Sequence, residues 1–241
     1  MSEPVRPGDP TLPERPDEDH LAPRTSAFVR RFVDDDGMHR VRRTVAPLVA
    51  GDLGKLARLY GTDKYWRHGY TLYYQRHLPA RRDVTSLFEI GVGGYKLETG
   101  GESLRMWRSY YPRAQIHGLD IHPKKIDEPR VTIHQGDQTD GACLDEILDQ
   151  TGPPDVIIDD GSHQQDHIRT TFGLLFHRVR PGGWYVIEDL HTAYMERFGG
   201  GEPGMADTSV TLIESLVGPT NQGTKVAELH LYPRIAFIRR P

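Results

Sequence analysis

The run DVIIDDGSH, residues 155–163, places Asp159, Asp160 and His163 directly behind three β-branched residues, and WYVIED, residues 184–189, ends in the same manner on Glu188 and Asp189. Carboxylates gathered at the end of an apolar strand are costly to bury unless something cationic pairs with them. Asp160, Glu188 and Asp189, brought together from two strand ends, would offer three oxygen ligands to a hard divalent cation, for which magnesium is the natural choice. The competing reading of Glu188 and Asp189 is a helix cap or a salt bridge to Arg197 or Arg169. His163 lies three residues past Asp160, within reach of a hydroxyl held on such a cation, and a neutral imidazole there suits a general base. His167 would share a helical face with His163, so a histidine pair on a transition metal is an alternative, disfavoured because the neighbouring ligands are carboxylates rather than thiolates. His167, His177 and His191 read as capping histidines.

The elements that must position these groups are short runs rich in β-branched and aromatic residues: 86–92, 115–121, 131–137, 155–160 and 184–189. Helix-like stretches at 102–111, 142–150 and 164–179 separate most of them, and strands alternating with helices predict a parallel sheet covered on both faces. Residues 226–240 read as two strands with a connection around Pro233 too short for a crossover helix, so this last pair must be antiparallel. Each of the first five strands ends in an acid, and ligands of open parallel sheets bind at the carboxyl ends of strands. Glu89 precedes Gly91 and Gly93, whose lack of a side chain permits a tight turn and close approach of a ligand. Asp120, at the end of the second strand, is placed to accept both hydroxyls of a ribose. Asp137 and Gln138 then supply polar groups near a base, and Glu89 and Asp159 are expected to face this cofactor while Asp160 faces the metal. A phosphate-loop lysine–serine pair is missing from the glycine turn, so a nucleoside without a pyrophosphate fits better.

The chain has 241 residues, a charged fraction of 27% and a formal net charge of −4, with no basic block dense enough to track a nucleic acid. Its single cysteine, Cys143, excludes an internal disulfide framework, and a reducing, cytoplasmic setting is expected. The first residues are polar and proline-rich where a secretory signal needs an apolar stretch, and no run is long enough to span a bilayer. Residues 1–24 read as a disordered arm, 25–80 as an N-terminal helical cap or lid, and 81–241 as the catalytic domain. Within the cap, residues 60–78 pack six aromatics among polar groups, and Tyr73 and Tyr74 read as core. Residues 191–209, glycine-rich and weakly periodic, read as a mobile loop over an acceptor.

The glycine turn, the ribose acid and the terminal antiparallel pair together resemble the class I S-adenosylmethionine-dependent methyltransferases. LYGTDK (59–64), EIGVGG, GGESLRMW, GDQ, IIDDGSH and YVIEDL, taken in order, resemble more narrowly the metal-dependent sugar O-methyltransferases of antibiotic biosynthesis, from about Leu59 to the C-terminus. The resemblance implies an α/β, Rossmann-like fold with a mostly parallel seven-stranded sheet. It implies S-adenosylmethionine and Mg²⁺ as cofactors, and as acceptor a sugar hydroxyl, such as one of rhamnose, on a glycosylated natural product. It also favours Thr62 and Lys64 as contacts to the methionine carboxylate of the cofactor, against a helix end terminated at Gly61. Ser103 is a similar contact or a helix cap. Relatives on this scaffold commonly assemble, so a homo-oligomer is expected. Two other readings remain open: an enzyme on the same scaffold acting on a phenol or catechol-like acceptor, and a non-catalytic nucleoside-binding module whose carboxylates merely pair with arginines.

Overall fold

A computed structural model of the chain describes residues 35–94, 96–97 and 99–241, with side chains from residue 40 onward. The proposed arm at 1–24 and residues 25–34 of the proposed cap lie outside the described residues. Among the described residues four helices precede the sheet: α1 (Asp35–Val49), α2 (Leu53–Tyr60), α3 (Asp63–Trp66) and α4 (Thr71–His77). Asp52 caps α2 by accepting from the Lys55 backbone N–H, and Gly61 closes it in the left-handed region. Thr62 caps the single turn of α3.

The seven strands are β1 (Ser86–Ile90), β2 (Gln115–Asp120), β3 (Val131–Gln135), β4 (Val156–Asp159), β5 (Trp184–Ile187), β6 (Glu228–Tyr232) and β7 (Ile235–Arg239). They lie in the order β3-β2-β1-β4-β5-β7-β6. The first five are parallel, and β7 inserts antiparallel between β5 and β6. The helices α5 (Glu102–Tyr110), α6 (Gly141–Thr151) and α7 (Gln165–Leu175) form the crossovers. This is the parallel sheet with an antiparallel last pair that the strand pattern predicts, in the seven-stranded form that the resemblance implies. A further helix, α8 (Ser209–Gln222), follows the 191–208 connection and was not read from the sequence, whose Pro219 and Gly218 argue against it locally. The connection itself is partly ordered into short turns over Leu190–Tyr194 and Glu196–Phe198, with Thr192 and Ala193 buried.

The pleat of the sheet divides the core in two. Leu87, Val156, Ile158 and Val186 face the layer made by α2, α4 and α5, whereas Phe88, Ile157, Tyr185 and Ile187 face the layer of α6, α7 and α8. Alternation therefore dictates which strand-end acid looks into which layer. Chain order reverses between β1 and β4, and the crevice at the carboxyl ends of these neighbouring strands is where such sheets take ligands.

Candidate functional site

A cavity of about 920 Å³ opens at that crevice, between the strand ends and the segment that carries α3. Its nucleoside-facing half begins with the turn after β1. Gly91 has φ +89°, and a Cβ at this position would stand 2.0 Å from the Asp160 carbonyl oxygen, so only glycine fits between β1 and β4. Gly93, at φ +77°, lies on the same wall. Asp120 accepts from the Val92 N–H at 3.1 Å and the His122 N–H at 2.9 Å, one bond on each carboxylate oxygen, which anchors the glycine turn to β2. Each oxygen retains a lone pair for a ligand hydroxyl. Asp137 reaches the cavity after accepting from the Thr139 N–H and hydroxyl, bonds that hold its carboxyl below the usual range.

The other half is lined by Asp160, His163, Glu188 and Asp189. One oxygen of Asp160, one oxygen of Asp189 and one His163 ring nitrogen lie within 4.8 Å of one another, the only such group of three potential metal ligands among the described residues. His163 Nε2 is 3.9 Å from Asp160 Oδ1 and 3.8 Å from Asp189 Oδ2. His163 and Asp189 both adopt left-handed backbone, at φ 58° and 53°. Non-glycine residues there are strained, and such strain concentrates at functional sites. Phe198, from the connection after β5, packs edge-on to the His163 ring with centroids 6.1 Å apart.

Lys64 lies behind this group and is 1% exposed. Its ammonium donates to Asp160 Oδ2 at 2.7 Å and Glu188 Oε1 at 2.6 Å, and stands 3.1 Å from Glu89 Oε1 without forming a hydrogen bond to it. Burial alone would lower the Lys64 pKa, but the three carboxylates outweigh it and hold the ammonium charged. Burial pushes the Glu89 carboxyl up to about 7 despite Lys64. Burial and the charge of Asp160 push Glu188 well up as well. Lys64 also lines the cavity, and in this structure its ammonium faces these three carboxylates. Arginine pairing is corrected, since the cation beside Glu188 is a lysine, while Arg169 pairs with Asp207 at 2.5 Å and Arg197 covers the Phe198 ring.

Two further expected contacts lie off the cavity wall. Glu89 shares the face of Leu87 and points at Lys64, with Ser103 beside it. Asp159 is the last residue of β4, where the pleat still holds, so it points into the opposite layer. There it accepts from Tyr185 Oη at 3.2 Å and Gln138 Nε2 at 3.3 Å, beneath the cavity rather than in it. Gln138 is committed likewise: its amide donates to Asp159 and Thr171 and accepts from the Ser162 N–H, which positions the loop carrying His163. Thr62 and Ser103 do line the cavity. His167 is 2.9 Å from Ser162 Oγ and does not join the ligand group.

Sequence reasoning missed three side chains from the cap. Tyr70 donates to Asp189 Oδ1 at 2.6 Å, and Tyr74 donates to Glu188 Oε1. His68 stacks on Tyr70 and reaches toward Asp63 and Asp189, at 3.5 and 3.4 Å. The available signal was the i, i+4 spacing of Tyr70 and Tyr74, since buried tyrosine hydroxyls need partners.

No family model matches the chain. It is 44% identical over 209 residues to mycinamicin VI 2''-O-methyltransferase of Micromonospora griseorubida, covering 78% of this chain and 52% of that protein. It is 40% identical over 205 residues to 8-demethyl-8-alpha-L-rhamnosyl tetracenomycin-C 2'-O-methyltransferase of Streptomyces olivaceus, covering 78% and 54%. Among solved structures, the methyltransferase MycE from the mycinamycin biosynthetic pathway, in complex with Mg, SAH and mycinamycin VI, superposes with a TM-score of 0.75 at 45% identity over 78% of this chain and 53% of that one. The chain thus spans about half the length of the curated relatives it matches.

Proposed function

We propose that this chain, whose homologues at 40–44% identity are sugar O-methyltransferases of macrolide and tetracenomycin pathways, transfers the methyl group of S-adenosylmethionine to a sugar hydroxyl of a glycosylated natural product. The observation that carries the reading is the convergence of Asp160, Asp189 and His163 at one end of a cavity whose other end holds the Gly91 turn and Asp120. Gly91 and Gly93 bring backbone close to the nucleoside, Asp120 accepts from its ribose hydroxyls, and Asp137 stands where the base would lie. Asp160 and Asp189 offer carboxylate oxygens to a magnesium ion, and Glu188, outside that close group but on the same cavity wall, would add a third through Oε2, since both of its hydrogen bonds fall on Oε1. Bound there, the ion would supply Lewis acidity to an acceptor hydroxyl. An oxygen-preferring ion leaves the imidazole of His163 free, so His163 takes the hydroxyl proton on Nε2 as the sugar oxygen attacks the sulfonium methyl in line. The remaining work of the chain is to align the two reactants and keep water out.

The test measures methyl transfer to a panel of rhamnosylated polyketides, with magnesium and with chelator, for the wild type and His163→Ala, alongside calorimetric titration of S-adenosylhomocysteine. The expected result is chelator-sensitive turnover that falls by about 10²–10⁴-fold in the variant while nucleoside affinity holds. Absence of nucleoside binding in the wild type would overturn the enzyme reading, and turnover of catechols alone would reassign the acceptor.

A further inference from the structure

The two aspartates of the ligand group divide their oxygens in the same way. Asp160 turns Oδ1 toward His163 and gives Oδ2 to Lys64 at 2.7 Å. Asp189 turns Oδ2 toward His163 and gives Oδ1 to the hydroxyl of Tyr70 at 2.6 Å. Glu188 gives Oε1 to both Lys64 and Tyr74. All three donors come from one short segment, residues 64–74, which packs over the strand ends from outside the sheet. Tyr70 and Lys64 are at most 1% exposed, as is Tyr74, so water does not compete for these donors; besides these carboxylates, the Tyr70 hydroxyl reaches the Arg234 carbonyl at 3.3 Å and Lys64 stands by Glu89.

We propose that this segment is the outer coordination shell of the metal site, with Lys64, Tyr70 and Tyr74 as positioning residues that each fix the inward oxygen of a ligand by holding its outward one. The inference rests on the metal assignment above and extends it to residues that no strand carries. A carboxylate with one oxygen clamped has lost the rotation that would otherwise blur its ligand geometry, and outer-shell donors of this kind typically contribute about 10–100-fold to metal affinity. The same contacts tie the cap to β4 and β5, so the site can form only when the 64–74 segment is seated. None of the three side chains touches the acceptor or the nucleoside in this role.

The probe is Mn²⁺ alone, titrated into the full chain and read as free ion by electron paramagnetic resonance, with S-adenosylhomocysteine affinity and thermal unfolding measured in parallel. Tyr70→Phe removes one hydroxyl at constant shape, and Tyr74→Phe does the same at Glu188. Tyr60→Phe is the control, because its hydroxyl meets Ser109 Oγ at 2.8 Å in the same cap, far from the carboxylates in contact terms. The expected result is Mn²⁺ affinity weakened about 10–100-fold in Tyr70→Phe and Tyr74→Phe, unchanged in Tyr60→Phe, with nucleoside affinity within about threefold of the wild type throughout. A purely structural role would lower the melting temperature in all three and leave Mn²⁺ affinity alike, which overturns the inference while leaving the metal site standing. A wild type that takes up no Mn²⁺ overturns the metal assignment itself. Should Tyr70→Phe fail to fold, Tyr74→Phe carries the comparison.

Discussion

Replacing Lys64 by methionine keeps the length of the side chain and removes the charge at the centre of Glu89, Asp160 and Glu188. The ammonium is 1% exposed and sits 2.6–3.1 Å from one oxygen of each carboxylate, so solvent cannot compensate for its loss. Removing one partner of a buried ion pair costs about 3–5 kcal/mol, because the charge left behind is neither paired nor hydrated. For a domain of this size each kcal/mol moves the melting temperature by about 2–4 °C, so Lys64→Met should melt about 6–20 °C below the wild type. The assay is thermal unfolding followed by circular dichroism in chelator at neutral pH, where no added metal substitutes for the lost cation. Lys55→Met supplies the contrast: Lys55 pairs with Asp52 at 3.3 Å on the surface, with most of its side chain in water, and such pairs contribute about 0–1 kcal/mol. A Lys64→Met protein that melts within about 2 °C of the wild type would refute the reasoning, since the three carboxylates would then not depend on the lysine.

Gly91→Ala should weaken S-adenosylhomocysteine binding by more than about tenfold in calorimetry, because a left-handed alanine costs about 1–2 kcal/mol and its Cβ would meet the Asp160 carbonyl at 2.0 Å; unchanged binding would remove the close β1–β4 approach from the account. Asp120→Ala should also raise the dissociation constant, here through lost ribose acceptors and a loosened Val92 N–H, and adenine alone should bind the variant and the wild type more equally than the nucleoside does. His117 predicts an acid-side loss of stability. Burial and the neighbouring His134 push its pKa down from 6.5 to about 4, so the unfolded chain binds the proton first, and stability present above 6.5 is lost as pH falls toward about 4. His117→Gln should flatten the melting temperature over that interval, and an unaltered slope would assign the loss to other groups.

The strand-end acids show what could be read from residues alone. Apolar runs that stop on carboxylates announced both the sheet and the edge at which its ligands bind, because a buried parallel strand tolerates charge only where it leaves the core. Gly91, Asp120, Asp160, His163, Glu188 and Asp189 were all legible in that pattern, and all line one cavity. Asp159 was misplaced for a reason the pattern also contained: β4 runs to its last acid, so alternation turns that acid to the far layer. Helix α8 was missed because its proline and glycine speak against a helix and only packing beside α7 and β6 favours one.

By itself the sequence determined the order of strands and helices, the antiparallel ending, and which acids would meet at the crevice, since these follow from local periodicity and chain connectivity. Only the tertiary structure decided what those acids would face. Lys64, Tyr70 and Tyr74 stand 96, 119 and 114 residues before the carboxylates they hold, and no local propensity records such a pairing. It exists because folding removes water from around them, and a buried donor must then find whichever acceptor the fold brings near.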